Sequence, residues 1–194
     1  MTRARHVLAV VVLAGCGAAQ RPSSGAGGPA RAADYLPLHA GAAWSYDTET
    51  GIGGDTVLNV IAVEHADGTH FVVRSGTRRE PYEVRDDGIA RDGEYLIRDP
   101  VRAGATWQGH EGASVEIRSA APSRQIGERT YRDVIEVHRV SPRTHLETTT
   151  WYARGVGAIE IVGETVSSLG GHLRVRSTLR GFTRGDDVEG DAPR

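Results

Sequence analysis

The chain has 194 residues, with 25 glycines, 8 prolines and an aromatic content of 6%. That length suits one domain of ordinary size, and the glycine content favours turns over long helices. All 23 basic residues are Arg, which excludes Schiff-base and phosphate-loop lysine chemistry. The single Cys excludes an internal disulfide framework and a cysteine-rich zinc site, and a formal charge of −2 supplies no electrostatic drive toward nucleic acid.

Arg3 and Arg5 precede the apolar run Val7–Leu13. That run is too short to cross a bilayer core, which takes about 20 residues, but it has the form of a secretory h-region. Leu13-Ala14-Gly15-Cys16 follows, and it resembles the lipobox of bacterial lipoproteins. The resemblance implies a diacylglyceryl group on the Cys16 sulfur, cleavage just before Cys16, and acylation of the new amine. Each buried methylene of such an anchor contributes about 0.8 kcal/mol. Gly17, where an Asp commonly retains enteric lipoproteins in the inner membrane, implies the outer membrane. The expected organisation is a signal peptide at 1–15, a lipidated flexible tether at 16–33, a folded domain at 34–182 and a disordered polar tail at 183–194.

Within the domain, apolar and polar residues alternate with period two, and no stretch carries a helical period. The predicted strands are Ala43–Thr50, Thr56–Glu64, His70–Ser75, Tyr82–Arg85, Gly88–Arg91, Glu94–Arg98, Ser114–Ser119, Asp133–Val140, Leu146–Ala153, Ala158–Gly163 and His172–Phe182. Turn pairs separate them: Gly53-Gly54, Asp67-Gly68, Asp87-Gly88, Asp92-Gly93 and Gly170-Gly171. Many short strands with short links predict an all-β fold: a single antiparallel meander, curled into a half-barrel, a barrel or a sandwich.

In the last predicted strand, Leu173, Val175 and Leu179 share one face, and Arg174, Arg176 and Arg180 share the other. A hairpin through Ser167–Gly171 places Glu160 and Glu164 on the Arg face. Paired charges on a solvated sheet face are the expected reading, with a surface for anionic head groups or another polyanion as the alternative.

Two segments echo one another. Pro37 to Trp44 and Pro100 to Trp107 share P-x-x-A-G-A-x-W. One match does not establish a repeat, but it marks two strand starts after a glycine turn, with Trp44 and Trp107 as buried anchors. Tyr35-Leu36-Pro37-Leu38 with Gly41, Trp44 and Tyr46 reads Y-x-P-L-x-x-G-x-x-W-x-Y. Further along stand Pro100, Gly104 and Trp107; then Gly127, Tyr131, Asp133-Val134 and Val137; then Trp151-Tyr152-Ala153 and Gly155-Val156-Gly157. From about 35 to 182 the chain resembles a family of bacterial secreted proteins and lipoproteins built on a β-rich domain of unknown function. The resemblance implies a fold and no reaction.

No catalytic constellation stands out. The His residues from His39 to His172 form no H-x-H or H-E-x-x-H pattern, and His65 and His70, which flank one hairpin, lack a third metal ligand. G-x-S-x-G is absent, and Ser167-Ser168 sits in a turn. Asp86-Asp87, Glu94 and Asp99 lie close in sequence, but spacing alone sets no cleft between them. Arg78-Arg79-Glu80 reads as a solvated loop. No cofactor and no metal are expected, and Cys16 is the one residue assigned a chemical role. The expected function is an envelope-anchored, non-enzymatic binding or structural module. Its expected partners are the membrane, through Cys16, and a protein, glycan or apolar small molecule, with no nucleic acid. The alternative is a carrier of lipid or another apolar ligand in a half-barrel cavity, and an enzyme is the least favoured reading. Whether the sheet encloses a cavity or a filled core separates these readings.

Overall fold

The computed structural model describes residues 29–51, 54–166 and 171–185. Cys16, the signal segment, most of the tether, Ser167-Ser168 and the tail beyond 185 lie outside the described residues. The domain is all-β, with twelve strands in one antiparallel sheet nearly closed into a barrel. The strands are β1 (Ala43–Thr50), β2 (Thr56–Asp67), β3 (His70–Ser75), β4 (Arg78–Arg85), β5 (Gly88–Arg91) and β6 (Glu94–Arg98), then β7 (Thr106–Gln108), β8 (Ser114–Ile126), β9 (Arg129–Ser141), β10 (Leu146–Ala153), β11 (Gly157–Val166) and β12 (His172–Thr183). The order across the sheet is β6-β5-β4-β3-β2-β1-β12-β11-β10-β9-β8-β7. Every neighbouring pair is sequential except β1 and β12, which zip together along Ala43↔Thr183 to Thr50↔Val175.

Five strands start and stop where the alternation predicts. The others run longer, and β7 is an addition too short for a period to register. Arg78-Arg79-Glu80 opens β4 instead of forming a loop, because Arg79 and Glu80 find partners on other strands. Arg79 Nε lies 2.7 Å from Glu64, and Glu80 lies 3.7 Å from Arg91. β8 runs past Ser119 to Ile126, through Ala120-Ala121-Pro122, where the period-two pattern lapses. A short helix, α1 (Ala32–Tyr35), begins inside the segment read as tether. Ala32 is buried and donates its N–H to Asp99 Oδ1 at 2.9 Å, while Asp34 accepts the Arg31 N–H at 3.1 Å.

The sheet is two six-stranded meanders of like construction. In the first, Gly41 has φ +76° and donates to Val63, Ala42 donates to His39, and Val63 donates back to Ala42. In the second, Gly104 has φ +81° and donates to Ile117, Ala105 donates to Arg102, and Ile117 donates back to Ala105. Both turns need a residue without the left-handed penalty of a Cβ, so glycine recurs at both. Trp44 then pairs with Ile61, and Trp107 with Val115. Three residues beyond Ile61 and Val115, a bulge falls at Glu64 in β2 and at Arg118 in β8. Just before it, Val63 faces Val73 as Ile117 faces Val137, and across the next pair of strands Phe71 faces Tyr82 as Ile135 faces Tyr152. The echo in sequence thus marks a structural duplication of hairpin register, turn and bulge. A bulge displaces side chains by one position and sharpens the local bend, and its repetition curls both halves alike.

Candidate functional site

The nearly closed sheet leaves a cavity of about 340 Å³ inside it. That is the low end of the range for small-molecule sites. Its walls repeat the duplication: Ile61 and Val115, Val73 and Val137, and Tyr82 and Tyr152 are equivalent pairs that all line it. The floor comes from the N-terminal segment and β1, with Leu36, Leu38, Trp44 and Tyr46. Trp44 Nε1 donates to the Val156 carbonyl at 2.6 Å, and the Tyr46 hydroxyl donates to the Ala158 carbonyl at 2.9 Å. Both polar tips are therefore satisfied within the wall, and the ring faces remain as apolar surface. Burial raises the phenol pKa of Tyr46, Tyr82 and Tyr152, so all three stay neutral.

The charged residues break the pairing. β5 and β6 are only four and five residues long, against ten and twelve for β11 and β12. The wall is low at that hairpin, and Arg91 and Glu94 stand at its edge and line the cavity together with Arg139. Arg139 hydrogen-bonds Glu94 across the gap between β9 and β6, and the His110 N–H donates to the same Glu94 oxygen at 3.1 Å. Arg91 pairs opposite Tyr82; its counterpart in the second half is Ala158, opposite Tyr152. Arg139 has Ser75 as counterpart, opposite Ile61. Neither Arg was singled out from the sequence. The available signal was an Arg on the inward phase of a strand, as in Val137-His138-Arg139, where an apolar residue is the ordinary choice.

The structure distributes the other candidates as follows. Trp44 and Trp107 are 3% and 5% exposed, as anchors should be, but only Trp44 reaches the cavity. Trp107 Nε1 donates to the Tyr95 carbonyl at 3.2 Å, stitching β7 to β6 where no ladder forms. His65 pairs with Val72 and His70 with Asp67, so the two His do not come together. Among the described residues no three His, Cys, Asp or Glu side chains are placed to hold a metal ion.

Of the clustered carboxylates, Asp87, Glu94 and Asp99 are committed to the framework, while Asp86 accepts the Arg31 guanidinium at 2.7 Å through its backbone carbonyl. Asp87 accepts the Tyr95 hydroxyl at 2.5 Å and pairs with Arg98 at 3.1 Å. The Tyr95 bond, then Arg98, hold the Asp87 carboxyl below its ordinary value. Asp99 holds α1, and Glu94 is bound to Arg139.

The charged outer face of β11 and β12 differs from expectation at one position. Arg174 pairs with Glu164 at 3.3 Å in the open, but Glu160 is 2% exposed. The long β8–β9 hairpin bends over it. Arg124 from β8 lies 3.9 Å above the Trp151 ring and reaches Glu160 Oε2 at 2.5 Å, while Arg176 reaches Oε1. Arg129 from the same hairpin donates to the Arg180 carbonyl at 2.7 Å on β12. The stripe is thus a clamp holding the hairpin down rather than a wholly solvated face.

No family model matches the chain, and no curated protein matches it. Two solved structures resemble it. A candidate lipoprotein from Parabacteroides distasonis aligns with 10% identity and a TM-score of 0.38, and a candidate exported protein with a YmcC-like fold from Bacteroides fragilis with 10% identity and a TM-score of 0.41. Each alignment covers 77% of this chain and 98% of the other.

Proposed function

We propose that the chain is a lipoprotein of the bacterial cell envelope, anchored to the outer membrane through acyl groups on Cys16. Its β domain is a non-enzymatic binding module that holds a small apolar or amphipathic molecule inside the barrel. The observation that carries the binding reading is the aromatic-lined cavity of about 340 Å³. A purely structural module has no use for unfilled space, which forfeits dispersion contacts along its walls. The Leu13-Ala14-Gly15-Cys16 run supports the anchor. The commitment of Asp87, Glu94, Asp99 and Glu160 to framework pairs supports a non-catalytic role, since an acid or base must be free to exchange a proton with a substrate.

Native mass spectrometry of the chain isolated from envelopes tests both parts. The expected spectrum shows a mature N-terminus at acylated Cys16 and a fraction of molecules carrying one extra small species released on unfolding. An unacylated Cys16 sinks the anchor. An empty barrel whose melting temperature no apolar compound raises sinks the binding reading and leaves the structural one.

A further inference from the structure

Resting on that reading, we infer that the cavity takes a single-chain amphiphile with an anionic head, its tail between Tyr82 and Tyr152 and its head at Arg91. Volume comes first. At roughly 30 Å³ per water-sized group, 340 Å³ admits about eleven non-hydrogen atoms. One medium-length chain fits, and a two-chain lipid does not.

Polarity sets the direction of entry. Most of the lining is apolar or aromatic, with Thr148 and Thr150 added by β10, whereas its charged residues, Arg91, Glu94 and Arg139, gather about the low β5–β6 hairpin. A ligand polar at one end and apolar along the rest matches that division, and a uniformly apolar one leaves the Arg side unused.

Charge sets the sign of the head. Among the described residues Glu94 is the only carboxylate lining the cavity, and it is bound by Arg139 and the His110 N–H. Arg91 is differently placed. Its side chain is 45% exposed, the Glu80 carboxylate stands 3.7 Å away, and the nearby Tyr82 and Tyr152 are neutral phenols. A guanidinium carries five N–H donors in a fork suited to a carboxylate or phosphate. Contacts to Glu80 and Tyr82 do not use up the five donors of that fork, and Arg91 lines the cavity. The duplication sharpens the argument, because the equivalent position opposite Tyr152 is Ala158. A residue needed only to close the barrel would not require charge at one of the two positions.

The test uses the full chain carrying Cys16→Ser, so that neither acyl groups nor detergent compete for the cavity. Titration calorimetry compares decanoate, decanol and decyltrimethylammonium, below their micelle concentrations. Decanoate is expected to bind one per chain, at least ten-fold tighter than decanol, with the cationic probe weakest. Arg91→Gln is expected to bring decanoate down to the level of decanol and to leave decanol unchanged; its melting curve verifies folding. Equal affinities for all three probes, or tighter binding of the cation, overturn the anionic head while the cavity reading stands. Binding of none of them, with unchanged melting, overturns the cavity reading itself. Because the wild-type comparison already decides the sign of the head, the inference does not depend on the variant folding.

Discussion

The two meanders begin with the same eight-residue motif, the same turn and the same bulge, yet they end differently. β1 continues for eight residues and closes onto β12 by a ladder. β7 stops after three, at Gly109, where the chain enters a 3-10 turn at His110–Gly112. Its seam with β6 is held by side chains instead, namely Trp107 on Tyr95 and Arg139 on Glu94. A ladder joins two strands continuously along their length, whereas a side-chain seam holds at points and leaves backbone edges unpaired. The charged lining of the cavity, Arg91, Glu94 and Arg139, gathers at this seam. The duplicated framework builds the walls, and the departures from duplication supply their charge.

Replacing the two equivalent Trp residues probes that contrast with the largest expected effect. Trp44→Ala and Trp107→Ala should each cost about 3–5 kcal/mol through lost burial and a cavity, read from urea midpoints. The distinguishing readout is amide exchange. Trp107→Ala should speed exchange in Glu94–Arg98 ahead of the rest of the sheet, whereas Trp44→Ala should leave β6 no less protected than its neighbours. Unchanged midpoints for both would remove them from the core, and identical exchange patterns would remove the difference between the seams.

Each half also carries a carboxylate bridged by two Arg on its outer face, and here burial decides the effect. Glu64 meets Arg74 and Arg79 with its side chain 28% exposed, whereas Glu160, 2% exposed, meets Arg124 and Arg176. Glu160→Gln should cost about 2–3 kcal/mol. That is below the 3–5 expected for breaking a fully buried pair, because both Arg side chains reach solvent and screen part of the loss. Glu64→Gln should leave the urea midpoint where it is. Equal shifts for the two would mean that the hairpin does not shield Glu160.

The smallest effect is a pH slope from His138, whose counterpart in the first half is the half-buried Arg74. Burial, then Arg118, lower the His138 pKa from its ordinary 6.5, against Glu147, Glu136 and Glu116, which raise it. A folded-state pKa below the unfolded value means that unfolding takes up a proton. His138 therefore costs nothing above 6.5, and stability falls as pH drops below that value toward the lowered folded pKa. Urea midpoints between pH 8 and 5 should decline on the acid side, and His138→Asn should flatten the decline. A wild-type midpoint constant over that range would refute it.

Sequence by itself determined the strand class, most of the strand limits and the two Trp anchors, because each rests on local properties. Side chains alternate with period two along any strand, Asp-Gly and glycine turns need only local dihedral freedom, and a Trp on the apolar phase of a strand seeks burial in any β fold. The Pro-x-x-Ala-Gly-Ala-x-Trp echo was visible, but its meaning depended on pairing register and on two bulges that no single segment encodes. Tertiary structure alone decided the cavity, the low wall at β5–β6 and the convergence of Arg91, Glu94 and Arg139, drawn from strands far apart in the chain. It also decided that Glu160 is buried. Alternation assigns a residue to a face, but whether that face meets water depends on a hairpin arriving from 36 residues away to cover it.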